Sequence, residues 1–139
     1  MRFLDSSTFL YAILKPARQP PPHVTLNKQK AKAIITRIQG GEQVTTTVVH
    51  VSEIANILET RTTLREARAI TQAILDTGSI TITPVDPQQI QSAIQQADKH
   101  DIGINDALAY ETMKGNTIHE IYSNDKHFDS LPGITRIWQ

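Results

Sequence analysis

Apolar residues along this chain follow two patterns: short runs bounded by turn residues, and longer stretches where they return every third or fourth position. The run MRFLD predicts a first strand that ends near Asp5. SSTFLYAILK then reads as a helix, with a Ser/Thr cluster suited to its N-cap. PARQPPPH, residues 16–23, is a proline-rich loop and is expected to be non-helical. VTLNKQKAKAIITRIQ predicts a helix with a basic face at Lys28 and Lys32 and an apolar one at Ile34, Ile35 and Ile38, stopped by Gly40-Gly41. QVTTT and SITIT are β-prone runs. Between them lie an apolar helix, VVHVSEIANILET, and an amphipathic one, TLREARAITQAILDTG, with a glycine stop. PQQIQSAIQQADKHD and INDALAYETMKG are two further helices. TIHEIYSND predicts a strand over 118–123, KHFDSLPG a turn, and ITRIW a last short strand.

Strands alternating with helices argue for an α/β domain with a mainly parallel sheet and helices on both faces. The 139 residues suit one domain, 1–139, with a single core. Hydrophobic content of 39% and charged content of 20% fit an ordinary soluble protein. No apolar run approaches membrane-spanning length, so no membrane association is expected. The N-terminus has an early Asp and no small-residue cleavage site, so it does not read as a signal peptide. Cysteine is absent, which removes disulfides, thiolate metal sites and a Cys nucleophile. A cytoplasmic location is the resulting expectation.

Four acids carry the candidate chemistry. Asp5 and Asp125 follow strands, at the carboxyl edge where open α/β sheets bind ligands. Glu53 shares a helix face with Val49 and Ile57, and Asp106 lies among Ile104, Ala107, Leu108 and Ala109 at a helix start. Each has an ordinary alternative. Asp5 or Asp106 would serve as a helix cap, Glu53 as a first-turn acid, and Asp125 as a turn residue. In a parallel sheet, however, strand ends and the starts of the following helices share one edge, so all four can converge. Carboxylates packed together repel unless a cation neutralises them, and an oxygen-rich site suits Mg²⁺ or Mn²⁺. Lysine plus arginine equals aspartate plus glutamate at 14 each. Neutrality does not exclude a polyanionic substrate, because setting four acids aside in one site leaves the remaining surface with a basic excess. Lys28, Lys32, Arg37, Arg61, Arg65 and Arg68 are candidates for phosphate contact, with a solvated helix face as the plainer reading. None of the five histidines has metal-ligand spacing, and His127 reads as a surface-turn residue.

The blocks FLDSS, SEIANIL, INDALAY and YSNDKHFDSLPGI, in that order over nearly the whole chain, resemble the signature blocks of the PIN domain, and most of all the VapC-type toxin ribonucleases. The resemblance implies a three-layer α/β/α fold with a five-stranded parallel sheet and Mg²⁺- or Mn²⁺-dependent hydrolysis of RNA. It places the catalytic and metal-binding acids on Asp5, Glu53, Asp106 and Asp125. The accompanying hydroxyl residues fall on Ser6 and Ser123, with Asp129 a further acid in the same turn. It also implies a homodimer held inactive by a small antitoxin protein. The proline-rich segment 16–23 is longer than a minimal member needs, and many members are more strongly charged. A housekeeping RNA-processing nuclease and a non-catalytic RNA- or protein-binding module of the same fold are the alternatives. A haloacid-type phosphatase would need an Asp at position 7, where this chain has Ser7, and a receiver domain would need an acidic pair at the first strand.

Overall fold

A computed structural model describes residues 1–16 and 18–139. Ala17, inside the proline-rich segment 16–23, lies outside the described residues. The first strand, β1 (Arg2–Leu4), is short but central, hydrogen-bonded in parallel to β2 (Val44–Thr47) on one side and β4 (Glu120–Tyr122) on the other. Strand β3 (Ile80–Thr83) extends the sheet beyond β2, and β5 (Thr135–Ile137) extends it beyond β4. The order is β3-β2-β1-β4-β5 and every pairing is parallel.

Successive residues of a strand face opposite sides of its sheet, and β1 shows this directly. Leu4 joins the apolar cluster on one face and Phe3 the cluster on the other. The first cluster draws on α1 (Ser6–Ile13), α2 (Pro22–Gln39), α3 (Val48–Arg61) and α4 (Leu64–Asp76) through residues such as Phe9, Ile34, Ile54, Leu58 and Ile74. The second is built on α6 (Ile104–Gly115), with Ala109, Tyr110 and Met113, and α5 (Pro87–His100) packs outside it through Ala93. Helices thus cover both faces of the sheet, giving three α/β/α layers.

Local chemistry sets the helix starts. Thr47 caps α3 by accepting from His50 N–H, and Thr63 caps α4 by accepting from Glu66 N–H. Asp86 and Gln89 form a reciprocal capping box ahead of α5. The expectation for 16–23 needs correction at its end, because Pro22 and His23 are the first residues of α2. Proline is tolerated at the first helical position, where its missing N–H would have had no intrahelical partner. The same helix ends at Gln39, and Gly41 turns the chain at φ 114°, a conformation that favours glycine. The strand expected over 118–123 contracts to β4, and the turn after it is a 3-10 helix over Lys126–Ser130.

Candidate metal centre

Asp5 directly follows β1 and occupies the N-cap position of α1, yet its side chain caps nothing. Its Oδ2 accepts hydrogen bonds from Ser7 Oγ at 2.8 Å and Ser123 Oγ at 2.6 Å. Ser123 Oγ in turn accepts from the backbone N–H of Asp125 at 2.9 Å. One fully buried hydroxyl therefore fixes a carboxylate from β1 against the turn that follows β4. The carboxylate itself is only 4% exposed.

Asp106 is the third residue of α6, whose N-cap is Gly103, and no side chain caps this helix. Burial is the largest influence on its carboxyl; Asp5 and Asp125 add to it, and against the opposing pull of His127 the pKa is pushed up to about 7. That response reflects a half-buried carboxyl with two other acids nearby, only partly offset by His127. Asp125 starts the 3-10 helix, its Oδ1 accepting from His127 N–H at 2.9 Å. The imidazole folds back over the acids, with Nδ1 3.1 Å from Asp125 Oδ1 and 3.9 Å from Asp106 Oδ2. Donor atoms of Asp106, Asp125 and His127 all lie within 4.8 Å of one another. Among the described residues, no Lys or Arg pairs with Asp5, Asp106 or Asp125.

Glu53 stands one residue removed from this group. Its Oε2 accepts from Asn105 Nδ2 at 2.9 Å, so the neighbour of Asp106 holds it. Below lies His50, 1% exposed, packed edge-on against Phe3 with its Nδ1 2.7 Å from Thr47 Oγ1. Burial holds the His50 pKa below the usual histidine value, although Asp5 and Glu53 pull it the other way.

Three sequence assignments change. The hydroxyl that reaches Asp5 from α1 belongs to Ser7, not Ser6, because the side chain two residues into the helix turns back over its N-terminus. Asp129 is engaged by Arg136, through Nε–Oδ1 at 2.9 Å and Nη2–Oδ2 at 3.0 Å. Lys28 is not free for phosphate, since its Nζ donates to the carbonyls of Ala12 at 3.1 Å and Leu14 at 2.7 Å, closing the end of α1.

The family model of the PIN domain matches residues 2–134. The chain belongs to the PIN domain family. No curated protein matches the sequence. Among solved structures, this PIN domain is similar to Mycobacterium tuberculosis VapC20, described as a sarcin-ricin loop cleaving toxin, with 20% identity, full coverage of both chains and a TM-score of 0.78. It is also similar to VapBC2 from Rickettsia felis, bound to a DNA fragment from its promoter, at 12% identity, TM-score 0.68, and 99% and 98% coverage of the two chains. A toxin-antitoxin complex from Klebsiella pneumoniae superposes at 10% identity and TM-score 0.63, over 97% of this chain and 96% of the other. At these identities the likeness is one of fold.

Asn105 and Ser7 are the site residues that reading the sequence missed in this PIN domain. Each adjoins a residue that was singled out, but which neighbour turns inward depends on backbone direction. His127 sits against the acids although it lacks helical ligand spacing, because a 3-10 turn brings it back.

Proposed function

We propose that this PIN domain is a divalent-metal-dependent endoribonuclease of the VapC type, the toxin of a toxin-antitoxin pair. The supporting observation is the grouping of donor atoms of Asp106, Asp125 and His127 within 4.8 Å of one another, with Asp5 tied to the same turn through Ser123. Among the described residues no Lys or Arg pairs with these acids, and hard carboxylate oxygens with no thiolate nearby are the donor set that Mg²⁺ and Mn²⁺ take. Asp5, Asp106 and Asp125 would hold the ion. When bound, it would lower the pKa of a coordinated water and offset charge building on the phosphodiester.

The chain's own residues do the rest. Ser123 and Ser7 fix the Asp5 carboxylate in one orientation, and Asp125 is fixed through its own amide. Glu53, oriented by Asn105, is the carboxylate left to position or deprotonate the attacking water. His127, mostly exposed beside Asp125, is left free to contact substrate. A small antitoxin protein covering this edge and a second copy of the chain are the partners this reading implies. Val48, Leu64 and Leu75, exposed on α3 and α4, are among the large apolar residues available for assembly.

The test is incubation of the purified chain with labelled structured RNAs, a sarcin-ricin loop hairpin among them, in Mg²⁺, in Mn²⁺ and in chelator. Cleavage that needs the metal and disappears in Asp106→Asn supports the reading. Folded wild type that titrates no divalent ion rules it out.

A further inference from the structure

Beside the acids, a cleft of about 530 Å³ opens between α2, the turn after β4 and the end of β5. Lys30, Lys126 and Arg136 line it and, among the described residues, no Asp or Glu does. In a chain of zero net charge this is a local basic excess. Arg136 is partly spent on Asp129 and on the Ser123 carbonyl, which its Nη1 reaches at 3.3 Å, so Lys30 and Lys126 carry the uncompensated charge. Asn124 and Lys126, both in the lining, flank Asp125 in sequence. The cleft therefore borders the turn that carries Asp125.

Trp138 lines one side of the cleft, half-buried against the first core cluster. Trp138 donates from Nε1 to Asn27 Oδ1 at 2.9 Å and meets Tyr11 edge-on at 5.8 Å. Tyr11 Oη accepts from Asn124 Nδ2 at 3.1 Å. The indole is thus braced through Tyr11 against the turn that carries Asp125. Positive charge along a groove with an aromatic side chain in its lining is an arrangement suited to single-stranded nucleic acid, the lysines meeting phosphates and the ring a base. We propose that this cleft holds the RNA strand next to the scissile phosphate, with Lys30 and Lys126 on consecutive phosphates and a base stacked on Trp138. This rests on the ribonuclease reading for its chemistry, but binding can be measured without cleavage.

Trp138 is the only tryptophan, so its emission reports the cleft alone. Short oligouridylate is titrated into the full chain in chelator, where no cutting occurs. Quenching should saturate, and its salt dependence should lose a slope of about 0.7 in each of Lys30→Gln and Lys126→Gln. Because Trp138→Ala removes a side chain packed against the core, Trp138→Phe is compared by fluorescence anisotropy of labelled RNA, and it should bind more tightly than Trp138→Leu. Quenching without metal-dependent cleavage would overturn the nuclease reading and keep the cleft. Cleavage with unaltered slopes in both lysine variants would overturn the cleft. Quenching by inorganic polyphosphate or an acidic peptide as strong as by RNA would also overturn it, since neither has a base to stack.

Discussion

Asp106 shows at the scale of one residue what the site lacks. Its carboxyl rises from the usual 3.8 to about 7 in the folded chain, so between those values the folded state holds a proton that the unfolded state has released. On this account the metal-free protein loses stability as pH rises from about 4 to about 7. Asn carries no charge and can still donate to Asp125, so Asp106→Asn should gain on wild type across that window and hold a constant lead above it. Urea denaturation in chelator at several pH values checks this, and parallel curves would refute it. With Mn²⁺ the order should invert. Ser123→Ala removes the hydrogen bond to Asp5 and leaves the buried Asp125 amide without its partner. Its expected cost is about 1–3 kcal/mol, together with weaker divalent binding by calorimetry. The acids themselves were legible, because polar residues at strand ends and apolar helix starts stand out against their neighbours. The choice of Ser7 over Ser6 was not, because both follow Asp5 and only the direction of the first helical turn separates them.

At the scale of elements, two features tie the first helix layer together. Lys28 on α2 spends its ammonium on carbonyls at the end of α1, and burial lowers its pKa, with Lys32 adding to the effect. Lys28→Met should lower stability by about 1 kcal/mol in denaturant titrations and leave RNA cleavage per folded molecule unchanged. A loss of cleavage without loss of stability would return Lys28 to the substrate path. Gly41, at φ 114°, reverses the chain between α2 and β2, and Gly41→Ala should cost about 1 kcal/mol by the same measurement. The helices and strands were nearly all readable, since period and capping residues are local properties. Pro22 marks where local reading failed: proline excludes itself from helix interiors, and whether it opens a helix depends on the residues after it.

At the scale of the whole molecule, an unneutralised acid cluster should make stability respond to divalent ions. At a free ion concentration a hundred times the dissociation constant, binding to the folded state alone contributes about 2.7 kcal/mol. Thermal unfolding with Mg²⁺ or Mn²⁺ against chelator reads this as a raised Tm for wild type and little change for Asp106→Asn. Light scattering should give twice the mass of the chain, and a single-chain mass at micromolar concentration would count against the dimer. No helix among the described residues is long and apolar enough to cross a membrane. The sequence by itself determined the alternation of elements, the parallel sheet it requires and the acids that edge would gather, because periodicity, turn residues and strand ends are written locally. Only the tertiary structure decided which groups meet. It grouped Asp106, Asp125 and His127, tied Asp5 to their turn through Ser123, put Glu53 on Asn105 and paired Asp129 with Arg136. These pairings join residues up to about the full length of the chain apart, as Asp5 to Ser123 does, and side-chain direction across such distances follows from packing rather than from any local run of residues.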